Sequence, residues 1–463
     1  MKRPSWAALD RLIFYGGVML LVVVFVAFSR ANIAADSVDY YGMLQWLTPE
    51  PEKPILRNLY FAQQRSPGYS LSATIPYFLL TFAVDPFVTT EQVVEYPPPP
   101  PFFRGPPPPR WPPEETFSNP AKEGFSTVHG PGFPPPGPKG SEFALIPPRP
   151  LLLRHVPFKD FYVPHEGSWF QWKLVLALAT TSLFFLVVGV ITCGQSLRCR
   201  FSDWPAYALV IVAILCSPIF LVNIVTAPLY ATFTAFGVSS LFLLSFIRAH
   251  ETGTPTQALL CGAFLGYLVL VRLEVAVFAG TLAFLLIVKG QWRLAVLLVI
   301  GASWALVAWV LYNFAAFGKW LNFAILKGDI NRLTFRPGYF FDSLLHPLSG
   351  VVFWTPVLLP GLIGLFLSRS SALRFLGVAS VVLVILYALR VPIMYDHVGG
   401  PPLEIGGIPV TPPPTSGAMR ELIRADNNRY LTVLLPFLIV GVRELLAVVA
   451  WAERPAEKPV TAP

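Results

Sequence analysis

The chain has 463 residues, of which 54% are hydrophobic and only 13% are charged. A soluble domain of this size normally carries about a quarter of charged residues, so the composition excludes an ordinary soluble protein and indicates that lipid surrounds most of the chain. The formal net charge of +8 comes from Lys and Arg residues scattered between apolar runs. This scatter argues against a nucleic-acid partner.

Ten apolar runs are long enough to cross about 30 Å of hydrocarbon. They cover residues 12–29, 170–191, 205–222, 228–247, 256–271, 274–289, 294–313, 348–367, 373–389 and 430–449. The first run follows three basic residues, as a signal peptide would, but its length and the many later runs indicate an uncleaved helix. We therefore predict an all-α integral membrane protein with about ten transmembrane helices.

The stretch at 69–84 is short and contains Pro76, so it is the doubtful span. If it does not cross the membrane, the basic amino terminus and the short basic loops, such as those bearing Arg198 and Arg248, all share one side. The positive-inside rule then makes that side cytoplasmic. We expect both termini in the cytoplasm, 69–84 as a re-entrant or interfacial helix on the outer side, and a plasma membrane of the bacterial type as the location.

This topology divides the chain into eight parts. They are a first transmembrane helix (1–30), an extracytoplasmic loop with interfacial helices (31–96), a Pro-rich extracytoplasmic insert (97–168), a central transmembrane bundle (169–313), an extracytoplasmic basic loop (314–347), further transmembrane helices (348–389), an extracytoplasmic Pro/Gly-rich loop (390–429), and the last helix with a cytoplasmic tail (430–463).

The insert carries twenty prolines between positions 97 and 150. Such a composition forms extended polyproline II or stays disordered, because it supplies too few clustered aliphatic residues for a packed core. Aromatic residues within it would allow it to dock on a membrane-protein partner or on the membrane surface. Scattered hydrophobes without a partner are the alternative.

An acidic motif containing Asp36 and Asp39 follows the first run. Apolar residues then recur every three positions, which predicts an interfacial amphipathic helix, at Val38, Tyr41, Leu44 and Leu47. A carboxylate here could deprotonate an acceptor hydroxyl, and Asp36 could instead hold a divalent metal such as Mg²⁺ or Mn²⁺. The simpler interpretation makes Asp36 the helix N-cap and Asp39 its acidic third residue.

Charged residues also fall at the predicted outer ends of helices. Arg272 and Glu274 lie between two middle runs, and Arg429 opens the last one. A charge placed there is costly unless it is paired or faces an aqueous cavity, which favours a functional site. Snorkelling of an Arg272–Glu274 pair, or interfacial anchoring by Arg429, is the alternative.

The outer loop at 314–347 is basic on the side where few positive charges are expected. Its cations are Lys319, Lys327, Arg332 and Arg336. An anionic ligand would explain them, and so would ordinary solvation of a loop. In the next outer loop, Asp396 and His397 precede another Pro/Gly-rich stretch.

The order of motifs resembles GT-C membrane glycosyltransferases, such as the protein mannosyltransferases and aminoarabinose transferases. The motifs are Asp-x-Val-x-Tyr-Tyr-x-x-Leu from Asp36, Arg57 to Tyr60, Ser66 to Leu71, Leu270 to Glu274, Leu311 to Gly318, and Asn428 to Pro436. The resemblance covers most of the chain outside 97–165. It departs at 396–400, where Asp396-His397-Val398-Gly399-Gly400 replaces the usual Trp/Gly-rich segment.

The resemblance implies transfer of a sugar from a polyprenyl-phosphate carrier to an extracytoplasmic acceptor, by an inverting displacement. It implies catalytic roles for Asp36 and Asp39. Substrate-binding roles would fall to Arg272, Glu274, Lys319, Arg332, Arg336, Asp396, His397 and Arg429. The rival hypotheses are a catalytically silent GT-C-like subunit that the insert straps to a larger membrane complex, and a transporter.

Overall fold

The computed structural model describes residues 6–28, 36–49, 67–87, 169–201, 206–226, 229–318, 320, 337–345, 350–389, 403–405, 408–410 and 428–452. Most of these residues are helical, which confirms the predicted all-α class. The exception is a small antiparallel hairpin of β1 (Leu403–Ile405) and β2 (Ile408–Val410). The Pro-rich insert at 97–168 lies outside the described residues.

Fifteen α-helices lie within the described residues. They are α1 (Trp6–Phe28), α2 (Asp36–Leu47), α3 (Gly68–Val84), α4 (Trp169–Arg200), α5 (Ala206–Leu215), α6 (Pro218–Thr226), α7 (Thr232–Thr252), α8 (Pro255–Val271), α9 (Val275–Val288), α10 (Trp292–Phe317), α11 (Pro337–Leu345), α12 (Val351–Trp354), α13 (Leu358–Leu367), α14 (Ser371–Leu389) and α15 (Leu435–Ala452). A 3-10 turn at Asn428–Leu434 leads into α15.

Six helical segments of the described chain are long and apolar enough to cross a membrane. They are Ala8–Ala27, Lys173–Arg200, Thr232–Thr252, Trp292–Phe317, Ser371–Leu389 and Tyr430–Ala450. A seventh is the pair α5 and α6, if its two halves, bent by 76°, form one span. The protein is therefore an integral membrane protein by helix length and composition, and the count of ten spans stays a prediction.

Two of the predicted runs are broken where a proline interrupts the helix. Pro218 opens α6 directly after the bend in the 205–222 run, and Pro356 separates α12 from α13 within the 348–367 run. Proline lacks an N–H and clashes with the preceding turn, so a continuous helix is disfavoured at both places.

Small residues let pairs of helices approach until their backbones touch. A Cβ added to Gly364 of α13 would collide with the backbone of Gly441 in α15, and one on Gly262 of α8 would collide with Leu298 of α10. Close backbone contact through glycines is the usual way in which helices associate in lipid. These two contacts fix the pairs α13–α15 and α8–α10.

The doubtful stretch at 69–84 forms α3, which lies along the first third of α4. The Tyr69 hydroxyl donates to the Leu178 carbonyl at 2.9 Å, and Lys173 Nζ lies 2.8 Å from Asp85 just beyond the end of α3. The start of α3 thus lies beside residue 178 of α4 and its end lies beside residue 173, so the two helices run antiparallel. The position of α3 in a membrane stays a prediction.

Ion pairs gather several helix ends at one end of the bundle. Arg198 at the end of α4 pairs with Asp10 of α1 at 3.1 Å, and Arg200 pairs with Glu444 of α15. The start of α1 and the second half of α15 thus share an end, as expected for two termini on one side. Which side of the membrane this charged end meets stays a prediction.

The course of α15 shows which residues lie at the end of the bundle opposite the ion pairs. Glu444 lies ten residues beyond Leu434, the last residue of the 3-10 turn, which is about 15 Å along a helix. Tyr430 in that turn contacts Arg272 at the end of α8. The candidate functional site is therefore at the far end of the bundle from the ion pairs.

Candidate functional site

Arg272 occupies the turn between α8 and α9. Its backbone N–H donates to the Leu268 carbonyl at 2.8 Å and so closes α8, while its own backbone is extended, which lets the chain turn towards Glu274 and α9. The Arg272 residue is only 6% exposed. The structure therefore does not support the snorkelling alternative, because neighbouring elements enclose the side chain instead of leaving it to extend outwards.

Four groups interact with the guanidinium of Arg272. Its Nη1 lies 3.9 Å from the Glu274 carboxylate. This distance allows an ion pair but is too long for a hydrogen bond. Its carbon atom lies 4.5 Å from the centre of the Tyr430 ring, and Tyr40 and Tyr387 interact with it electrostatically. Among the described residues the guanidinium has this ion pair and this ring contact, and a guanidinium carries five N–H donors in a fork that suits an anion.

The tyrosines are held in place by contacts of their own. Tyr387 at the end of α14 stacks on Tyr430 with ring centres 5.6 Å apart. Tyr40 of α2 meets Tyr69 of α3 edge to face at 5.0 Å, and the Ser70 hydroxyl donates to the Tyr40 carbonyl at 2.9 Å. Since Tyr69 also bonds to α4, a rigid set of contacts links α2 to the bundle.

Helix α2 begins at Asp36, as the sequence predicts. Asp36 and Asp39 therefore lie in its first turn, immediately before Tyr40; their side chains lie outside the described residues. The helix differs from the amphipathic prediction, because it is buried on successive positions rather than on one face, at Tyr40, Tyr41, Met43 and Leu44. The middle of α2 therefore packs on more than one face against neighbouring elements, and its position relative to a membrane interface stays a prediction.

The structure brings Arg272 and Glu274 together, as the sequence predicts. Arg429 lies in the 3-10 turn next to Tyr430, but its side chain is outside the described residues. The remaining predicted substrate-binding residues also lie outside them, namely Lys319, Arg332, Arg336, Asp396 and His397.

Sequence reasoning missed the tyrosines around Arg272. Tyr40 and Tyr430 belong to motifs that were singled out for their charged neighbours, so a motif reading that included aromatic residues would have found them. Tyr387 carries no local signal, because it reaches the site only through the packing of α14 against the 3-10 turn.

No group of three His, Cys, Asp or Glu residues suited to a metal occurs among the residues that the structure describes. Asp36 and Asp39, three positions apart on one helix, supply at most two carboxylates of such a set. A divalent metal at Asp36 stays a prediction, and a carboxylate can accept a proton without one.

Comparison of the chain with protein-family models, with curated proteins and with solved structures gives no match. The GT-C resemblance rests on the sequence motifs and stays a prediction.

Proposed function

We propose that the chain is a membrane glycosyltransferase that moves a sugar from a polyprenyl-phosphate carrier to an extracytoplasmic acceptor, with inversion. The supporting observation is the buried, tyrosine-lined Arg272 at the end of the bundle that also holds the first turn of α2. A guanidinium enclosed in this way is suited to bind a phosphate through two parallel hydrogen bonds.

In this proposal the residues divide the chemistry between them. Asp36 accepts the proton of the acceptor hydroxyl as that oxygen attacks the anomeric carbon of the sugar. The bond from the anomeric carbon to the phosphate oxygen breaks, and Arg272 stabilises the negative charge that the departing lipid phosphate acquires. Asp39 assists Asp36, and Glu274 holds the guanidinium in place.

The outer loops complete the site. Arg429, Lys319, Arg332 and Arg336 add positive charge around the phosphate, and Asp396 and His397 border the acceptor. The Pro-rich insert would contact membrane-protein partners. These assignments rest on the sequence, because the side chains concerned lie outside the described residues.

Binding of polyprenyl phosphate to the full-length protein tests the role of Arg272. Arg272→Gln should weaken binding about 10- to 100-fold, the equivalent of losing a charged hydrogen bond of about 1.5–3 kcal/mol. Arg272→Lys should recover part of the loss, because it restores the charge but not the planar fork.

Arg293→Gln is the matched control. Arg293 also lies against an aromatic ring, that of Trp292, but it stands at the start of α10 rather than in the turn between α8 and α9. It should bind the lipid as the parent does. Equal affinities of the parent and Arg272→Gln would contradict the proposal and would favour the structural-subunit hypothesis.

A further inference from the structure

Two buried hydrogen-bond donors on α10 have no partner in the described part of the chain. Among the described residues, nothing accepts a hydrogen bond from the indole N–H of Trp309 or from the side-chain amide nitrogen of Asn313. Trp309 is 8% exposed and Asn313 is 2% exposed, so both side chains are largely enclosed by the protein. A buried donor left unpaired lowers stability, which makes two of them on one helix a feature that needs an explanation.

The two donors lie on the same face of one helix. Trp309 and Asn313 are four residues apart in α10, and positions at this spacing are neighbours on a helix surface. That face packs on α8, where Trp309 shares a small buried cluster with Leu270, while Tyr312 meets Trp46 of α2 edge to face at 6.0 Å. The donors therefore lie where α8, α10 and α2 meet.

This meeting point is at the same end of the bundle as Arg272. Leu270, which shares a buried cluster with Trp309, precedes Arg272 by two residues. Helix α2 contributes both Trp46, which meets Tyr312, and Tyr40, which interacts electrostatically with Arg272. A ligand whose phosphate lies at Arg272 would have its neighbouring groups within the same junction of helices.

A second tryptophan of α10 does have an acceptor for its indole N–H. Trp304 is half-exposed, and its N–H donates to the Ala263 carbonyl of α8 at 3.3 Å. Trp309, one turn and a half further along and more deeply buried, has no such acceptor in the described structure. The indole N–H of Trp309 is therefore free to donate to a group that is not part of the described chain.

We propose that Trp309 and Asn313 form the subsite for the sugar of the lipid-linked donor, with their N–H groups donating to sugar hydroxyl oxygens. The inference rests on the proposed function and deepens it. Both donors are uncharged, so they suit the neutral oxygens of a sugar, whereas the phosphate falls to the charged Arg272. They make the site prefer a sugar-bearing lipid over the bare polyprenyl phosphate.

The test compares two ligands on the full-length protein in detergent. One is polyprenyl phosphate, and the other is the same lipid carrying mannose, glucose, galactose or arabinose, whichever the parent binds best. The parent should bind the sugar-bearing lipid at least about tenfold more tightly than the bare one. Trp309→Phe and Asn313→Leu should each lose most of this preference and keep the affinity for the bare lipid.

Unfolding without ligand supplies a second readout. Because neither donor has a partner in the described structure, Asn313→Leu should melt at or above the temperature of the parent. The matched control Asn223→Leu should melt lower, because the Asn223 amide donates to the Ile219 carbonyl at 2.7 Å. Trp304→Phe should leave the sugar preference unchanged.

The outcomes separate the two proposals. If the variants keep the preference of the parent, or lose affinity for both lipids equally, the sugar subsite is wrong while the proposed function stands. If the parent binds both lipids through Arg272 but prefers neither, the subsite is also wrong. If the parent binds neither lipid, the proposed function fails and the subsite fails with it.

Discussion

At the scale of single residues, the site combines groups that the sequence can and cannot predict. A charge beside an apolar run costs free energy in lipid, so Arg272 and Glu274 stand out in the sequence itself. The tyrosines do not stand out, because an aromatic residue near a membrane surface is ordinary. Their role depends on contacts between elements far apart in the chain, such as Tyr387 with Tyr430.

The unpaired donors of α10 were beyond sequence reasoning for a related reason. Asn313 stands in a short motif, and Trp309 lies in none of the motifs. Whether a buried N–H finds an acceptor depends on which backbone carbonyls remain free nearby, and that is a property of the packed structure.

Asp36 provides the prediction at this scale. Asp36→Asn should lower sugar transfer about 10²- to 10⁴-fold, the range for a positioned acid or base, and should leave thermal unfolding nearly unchanged, because Asn serves at a helix start about as well as Asp. Asp36→Ala should lower transfer as much and also destabilise the protein by about 1 kcal/mol. Transfer by Asp36→Asn at the parental rate would reduce Asp36 to a role in starting α2.

At the scale of elements, apolar runs predicted where helices lie better than where they end. The doubtful stretch 69–84 matches α3 to within one residue, because Pro67 and Gly68 mark its start and Asp85 follows its end. The sequence predicts one helix for each of the runs at 205–222 and 348–367, whereas the structure has a helix break beside a proline in each of them. Hydrophobicity alone does not distinguish a straight span from a broken one.

The crossing of α13 and α15 gives a prediction for an element. A Cβ on Gly441 would collide with the Gly361 carbonyl, so Gly441→Ala should separate the two helices and destabilise the protein by about 1–3 kcal/mol. Thermal unfolding in detergent measures the effect.

Gly280→Ala of α9 is the control for this crossing, because a Cβ there meets no atom within 4 Å. It should be neutral or stabilise by up to about 1 kcal/mol, since alanine favours a helix more than glycine does. Equal stabilities of the two variants would show that the close crossing does not contribute to folding.

At the scale of the whole molecule, the two ends of the bundle differ in chemistry. One end joins α1, α4 and α15 through the pairs Arg198–Asp10 and Arg200–Glu444. The other end surrounds Arg272 with tyrosines. The positive-inside rule predicts that the first end is cytoplasmic and that the second meets the outside.

Thiol labelling tests this orientation. The exposed Cys199 lies between Arg198 and Arg200, so in intact cells of a Cys216→Ser background it should react with an impermeant reagent only after permeabilisation. A cysteine at Ser118→Cys in the insert should react without permeabilisation. Cys193 and Cys261 are buried and should stay silent. The reverse pattern would invert the topology and place Arg272 at the cytoplasmic face.

The most direct test of the central claim is turnover of a lipid-linked sugar by the purified protein in proteoliposomes. Polyprenyl-phosphate sugars are supplied with a membrane extract as the source of acceptor, and the release of free polyprenyl phosphate is measured. The account predicts release by the parent and a loss of about 10²-fold or more in Asp36→Asn. No release from any donor, in a protein that purifies as a stable complex with other membrane proteins, would contradict the account and identify a structural subunit.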